Sequence, residues 1–231
     1  MVGKLFVLLL GACGLQMAWA ARPFVTDDAR LTTAGSCQLE TWLRSYRNST
    51  EAWFLPACNP SGNFEITAGV GRNYQGQGDS SDYIVQLKTL LKPLKPNGVG
   101  VGFALGQVSH PSVYPGPNLF GNRYAYVPVS VSLLDDQLIL HTNLGLIQDK
   151  LSHRSTQTFG VGAELALKPR WLGIAELYGD QRGARFYQAG VRYSVIPDLF
   201  QLDATVGGKP EGAAESRWLS VGIRYTPDRL F

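Results

Sequence analysis

The sequence predicts an all-β protein: a closed antiparallel transmembrane β-barrel of about twelve strands after a cleaved signal peptide. Three observations carry this expectation. The N-terminus has the layout of an export signal, short period-2 segments recur along the chain, and the connectors between them alternate in length.

The export signal comes first in the chain. Lys4 is a short positive region, Leu5 to Leu10 are apolar, the apolar run continues in broken form to Leu15, and Ala18-Trp19-Ala20 supplies a small-x-small cleavage site. The run is too short and interrupted to span a bilayer as a helix, and no later stretch has 18 consecutive apolar residues. The expected division is therefore 1–20 signal peptide, 21–35 N-terminal periplasmic or lumen segment, and 36–231 barrel. An alternative is lipidation at Cys13, because Leu10-Gly11-Ala12-Cys13 resembles a lipobox, but the A-x-A site downstream is better formed.

Strand by strand, one face is apolar and the other small or polar. Val99, Val101, Phe103 and Leu105 alternate with Gly100, Gly102, Ala104 and Gly106. Leu219, Val221, Ile223 and Tyr225 alternate with Ser220, Gly222 and Arg224. The same pattern places strands near 36–47, 50–58, 63–74, 82–92, 98–109, 122–134, 138–148, 155–168, 171–179, 185–196, 200–207 and 216–226. Short turns such as Asn59-Pro60-Ser61-Gly62 and Asp135-Asp136-Gln137 alternate with longer connectors such as 110–121 and 208–215. Short periplasmic turns and long external loops mark outer-membrane barrels. A soluble barrel or sandwich would carry many Lys and Glu on its polar face. Here that face is rich in Gly, Ser and Thr, which suits a lumen.

The first hairpin has one register that satisfies several pairs together. If the chain reverses at Arg47-Asn48, then Cys37 faces Cys58, Trp42 faces Trp53 and Arg44 faces Glu51. An even cysteine pair in an exported chain points to a structural disulfide, and no C-x-x-C motif suggests redox chemistry. Both cysteines are expected at the periplasmic end.

Residues 21–35 are not expected to form a strand. Pro23 cannot donate a ladder bond, and Asp27-Asp28 is a poor strand pair. The segment either folds into the lumen, where its acids could meet bases such as Arg192 and Arg224, or trails as a disordered leader.

Alternation also assigns the lumen-lining candidates: Glu40, Arg44, Glu65, Lys88, His141, Asn143, Glu164, Glu176, Arg192, Asp203 and Arg224. Their mixed signs favour a network of ion pairs over a selectivity lining. A formal net charge of +3, scattered over the chain, gives no reason to expect nucleic acid. His110, His141 and His153 lack metal-ligand spacing, so no metal or cofactor is expected. Some outer-membrane lipid hydrolases use a strand His and a Ser two residues apart. Here His141-Thr142-Asn143 has Asn at that position, and Ser152 and Ser155 near His153 lack an orienting acid.

Ala21-Arg22-Pro23-Phe24-Val25-Thr26-Asp27-Asp28-Ala29, Gly35 and Gln38-Leu39-Glu40 resemble the start of the outer-membrane barrels filed under the MetA pathway of phenol degradation. Leu140-His141-Thr142-Asn143-Leu144-Gly145 and Tyr187-Gln188-Ala189-Gly190-Val191-Arg192-Tyr193 resemble the same group. The resemblance implies an outer-membrane barrel with a transporter role and carries over no catalytic residue. The C-terminus departs from a common barrel pattern, because Thr226-Pro227-Asp228 interrupts the alternation before the terminal Phe231.

The functional expectation is a passive channel or transporter for small molecules, aromatic or apolar solutes among them. An acyl hydrolase centred on His141 and a non-transporting structural barrel are the alternatives. The expected partners are outer-membrane lipid, the barrel-assembly machinery and an unidentified small solute.

Overall fold

The computed structural model describes residues 24–75, 78–111, 120–212 and 214–231. The expected signal peptide with Cys13, residues 21–23 and much of the 110–121 connector lie outside the described residues.

The strands follow in chain order: β1 (Ser36–Tyr46), β2 (Ser49–Asn59), β3 (Phe64–Gln75), β4 (Ser80–Lys92), β5 (Val99–Ser109), β6 (Asn122–Leu133), β7 (Leu138–Gln148), β8 (Ser155–Lys168), β9 (Trp171–Asp180), β10 (Arg185–Ile196), β11 (Phe200–Gly208) and β12 (Trp218–Tyr225). Each pairs antiparallel with its neighbour in sequence, and β1 pairs with β12, which closes the barrel and leaves no sheet edge. The expected all-β closed barrel of twelve strands is the observed fold. A 3-10 turn, Ala214–Ser216, sits in the β11–β12 connector.

The barrel is inside-out relative to a soluble protein. Leu144 is 71% exposed, while His141 on the opposite face of the same strand is 0% exposed. Val85, Leu105, Val161, Leu202, Val206 and Val221 also point outward. An apolar belt of this kind is unfavourable in water and favourable in hydrocarbon, and 9–11 tilted residues suffice for a strand to cross it.

The β1–β2 register places Cys37 opposite Cys58, Trp42 opposite Trp53 and Arg44 opposite Glu51. The two cysteines form a disulfide, with Cα atoms 4.0 Å apart. The indoles of Trp42 and Trp53 stack with centroids 5.6 Å apart. At the end with the short turns, Asn97, Asp135, Asp136 and Asp198 take positive φ angles between 53° and 65°. Asn and Asp tolerate that region because their short side chains bond locally.

The C-terminal tail closes the same end. The amides of Leu230 and Phe231 donate to the Gly35 carbonyl at 2.9 and 3.1 Å, and the Ser36 hydroxyl donates to the Pro227 carbonyl. Gly35 has φ +74°, and a Cβ there would lie 2.9 Å from the Phe231 carbonyl oxygen, so the position demands glycine on two counts. On the N-terminal side of Gly35 the chain lies inside the barrel.

Candidate functional site

Residues 24–35 occupy the lumen at the short-turn half of the barrel. Thr26 is 1% exposed, Asp28 2% and Ala29 0%, and none of the segment is strand. Its backbone amides have no ladder to join, so the wall must supply acceptors. The amides of Val25 and Thr26 each donate to a Glu176 carboxylate oxygen at 2.8 Å. The Ala29 amide donates to Ser130 Oγ at 2.8 Å, and the Thr32 amide to Glu65 Oε2 at 2.7 Å. Asn59 Nδ2 donates to the Thr32 carbonyl at 2.6 Å. With its amide oriented as its neighbours require, Asn143 donates to the Asp27 carbonyl at 2.9 Å and accepts from the Asp27 amide at 2.6 Å.

Side chains add a second set of contacts. Lys88 Nζ donates to both Asp27 carboxylate oxygens at 2.9 and 3.1 Å and lies 3.7 Å from Asp28. The Tyr126 hydroxyl donates to Asp27 Oδ2 at 2.6 Å. Arg30 Nη1 lies 3.4 Å from Asp28 Oδ2 and 3.2 Å from Glu164 Oε2. The sequence allowed the segment's acids to meet lumen bases such as Arg192 and Arg224. The bases that hydrogen-bond them are Lys88 for Asp27 and Arg30 for Asp28, while Asp28 and Arg224 line the same small cavity. Arg192 is instead held by Glu164 at 3.3 Å, and Arg224 by Gln38 Oε1 at 2.7 Å and Glu40 at 3.9 Å. Those arginines have wall partners of their own, whereas Lys88 faces the path of the segment.

Two lumen glycines make room for the tip. A Cβ at Gly160 would collide with the Thr26 side chain, and one at Gly162 would come within 3.2 Å of the Phe24 ring. Phe24 also packs against His141, with ring centroids 5.7 Å apart.

Beneath Ala29 lies a constellation that the sequence did not single out. Ser130 Oγ is 2.8 Å from His141 Nδ1, and His141 Nε2 is 3.7 Å from Glu164 Oε2. The order serine, histidine, carboxylate is that of a nucleophile, base and orienter. Here Ser130 and His141 are both 0% exposed, the serine oxygen is engaged by the Ala29 amide, and Glu164 is shared with two arginines. An ester carbonyl cannot reach Ser130 while the segment is in place, so the arrangement acts as a dock for residues 28–30. Alternation does place Ser130 on the polar face of β6, but one serine among several carries no signal until its histidine partner is known.

The remaining candidates divide by depth. Asp203 stands opposite Arg192 in the β10–β11 register. Arg44 lies in the long-loop half, 3.8 Å from Glu51 and with its guanidinium 5.0 Å from the Trp218 ring centroid. There the wall of β9, β10, β12, β1 and β2 is aromatic. Tyr178 stacks on Phe186 at 5.3 Å, and Trp218 sits 5.8 Å from Tyr46. A Cβ at Gly71 would fall 2.6 Å from the Trp53 ring, and one at Gly207 would collide with Trp218, so these glycines let the indoles lie against the wall. At the rim, His110 Nδ1 lies 2.6 Å from Asp82 Oδ1, and this hydrogen bond holds the His110 pKa above its ordinary value. Among the described residues, no group of three His, Cys, Asp or Glu is placed to hold a metal ion.

Comparison with solved structures returns porin barrels. A KdgM porin superposes with a TM-score of 0.64 at 11% identity, covering 82% of this chain and 99% of the porin. A KdgM porin in complex with disordered oligogalacturonate gives 0.63 at 11% identity, over 82% and 99% of the two chains. The NanC porin gives 0.62 at 9% identity, over 83% and 100%. At these identities the likeness is one of fold. Comparison with curated protein sequences gives no match. A family model described as "Uncharacterised conserved protein UCP029691" matches residues 8–226. A barrel of porin fold, with its own N-terminal segment bound in the lumen, is thus the structure of a chain that belongs to the UCP029691 family of uncharacterised conserved proteins.

Proposed function

We propose that the protein is an outer-membrane channel for small solutes, and that residues 24–35 hold it shut in the conformation described. The observation that carries this reading is the nature of the plug contact. It consists mainly of hydrogen bonds and ion pairs to Glu65, Lys88, Ser130, Glu164 and Glu176. A permanently filled interior gains more from apolar packing than from buried ion pairs. Polar contacts can be exchanged for water when a segment leaves, so they suit a removable plug.

The apolar belt sits in outer-membrane lipid after insertion by the barrel-assembly machinery, with the short turns facing the periplasm. Two further observations support aromatic solutes: the aromatic wall in the long-loop half, and the resemblance to barrels filed under phenol degradation. The tight filling of the short-turn half favours a second reading, a structural barrel that transports nothing.

Planar-bilayer conductance separates the two. Deletion of residues 22–34 behind an intact signal peptide is expected to raise single-channel conductance. Unchanged conductance in a folded, heat-modifiable barrel would leave the structural reading standing.

A further inference from the structure

We infer that the lumen wall formed by β12, β1 and β2 is a binding site for an aromatic monocarboxylate, held at Arg44, Trp218 and Ser220. As the solute site of the proposed channel it rests on that reading, although binding can be measured without transport.

The three residues share one face at adjoining register positions. Arg44 stands opposite Ser220 and Tyr46 opposite Trp218 in the β1–β12 ladder. Leu219 and Val221 are 53% and 48% exposed to the outside, so Trp218 and Ser220 face inward. Trp218 is 5% exposed and Ser220 1%. Arg44 Nε, Trp218 Nε1 and Ser220 Oγ are buried, and none has a hydrogen-bond partner among the described residues. Leaving such donors unpaired in a buried setting is unfavourable, so a ligand that accepts from them is favoured. Two of the three can only donate, and the serine can do so. Asn73 Oδ1, across from Glu51, is likewise unpaired, but an amide can turn to present its nitrogen. The wall therefore presents donors in excess.

A ligand that suits it brings acceptor oxygens and a flat face. Aromatic rings supply the matching surface: Trp42 stacked on Trp53, and Trp218 flanked by Tyr46 and Phe186. Stacked or edge-on aromatic contacts recognise a π-face in addition to the area they bury. Charge narrows the choice further. Glu51 lies 3.8 Å from Arg44 and already offsets part of its charge. A monoanion is tolerated beside that carboxylate, whereas a dianion such as a phosphate ester would meet repulsion. A planar carboxylate also matches the guanidinium fork.

The test uses 2-naphthoate binding to the purified full-length barrel in detergent, by calorimetry and by quenching of tryptophan fluorescence. Two controls run beside it: 2-naphthylmethanol, which keeps the rings without the charge, and decahydronaphthalene-2-carboxylate, which keeps the charge without the π-face. Naphthoate is expected to bind at least about tenfold more tightly than either control. Arg44→Gln should weaken it by about tenfold or more. Trp218→Phe, which keeps a ring and loses the N–H, should weaken it severalfold. Arg72→Gln, a change at an exposed arginine on the outer surface, should leave it unchanged. Equal binding of naphthoate and the alcohol would overturn the proposal, as would wild-type affinity in both Arg44→Gln and Trp218→Phe. If Arg44→Gln fails to fold, as judged by heat-modifiable electrophoresis, Trp218→Phe alone decides. Binding without conductance would uphold the site and sink the channel. Conductance without binding would do the reverse.

Discussion

Arg30 Nη1 lies 3.2 Å from Glu164 Oε2, and this contact ties the inserted segment to the barrel wall. Glu164 is 4% exposed and also faces Arg192 at 3.3 Å. Removing the carboxylate leaves two buried guanidinium groups without their shared anion, a change that costs about 3–5 kcal/mol for a buried pair. Glu164→Ala is expected to release the plug before it unfolds the barrel, because the strand ladders do not depend on Glu164. Raised conductance with heat-modifiability retained is the expected result. Wild-type conductance would show that the segment is held without Glu164.

Gly160 offers a steric route to the same end that leaves every charge in place. A side chain at Gly160 would occupy the space of Thr26. Gly160→Val is therefore expected to expel the tip of the segment while favouring the strand itself, since valine suits a β-strand better than glycine. Release would expose Arg30, which is 7% exposed when docked. Trypsin added from the short-turn side of proteoliposomes should then cleave after Arg30 in the variant and not in the wild type. Equal protection of both would mean that the wall yields instead of the plug.

These two residues also show what was legible in the sequence. The barrel could be read directly, because period-2 alternation and turn chemistry are local and repeat twelve times. The first hairpin could be read to the residue, since Cys37–Cys58, Trp42–Trp53 and Arg44–Glu51 all demand one register. The lumen face of Glu164 and Gly160 followed from alternation as well. Their partners did not, because Arg30 and Thr26 belong to a segment with no periodicity, and the Arg30–Glu164 contact joins residues 134 positions apart. The Ser130–His141 pair was hidden for a different reason. It joins neighbouring strands, but serine on a polar face is too common to draw notice.

The rim pair gives a pH prediction. His110 sits just beyond β5, and its hydrogen bond to Asp82 raises its pKa above the ordinary histidine value of 6.5. A raised pKa in the folded state means that the contact stabilises fully below the unfolded value and is lost as pH rises through the folded one. The His110–Asp82 contact should thus be strongest under mildly acidic conditions and weaken on alkalinisation. Imidazole proton shifts followed by NMR in micelles should give a His110 midpoint above that of an unstructured histidine. Asp82→Asn should bring the midpoint down. An unchanged midpoint in that variant would assign the shift to another neighbour.

The disulfide is expected to staple the hairpin from which the segment departs. Cys37 and Cys58 lie at the short-turn end, 21 positions apart in sequence. Asn59, the next residue, both accepts from the Gly35 amide and donates to the Thr32 carbonyl, at 2.8 and 2.6 Å. A cross-link closing a loop of this length removes conformational freedom from the unfolded chain worth about 3 kcal/mol in the chain-entropy model. Cys37→Ser/Cys58→Ser should therefore lower the midpoint of urea unfolding from lipid while the β1–β2 ladder remains paired, since every other register contact is intact. The loss should also reach the plug, because Asn59 holds Thr32 from the strand end that the cystine fixes. The double variant is expected to show brief conductance bursts that the oxidised protein lacks. Free-thiol mass spectrometry on protein taken from the envelope without reductant provides the check on the starting state. Alkylation of both cysteines in most molecules would mean that the hairpin is not cross-linked in the cell, and neither effect should then appear.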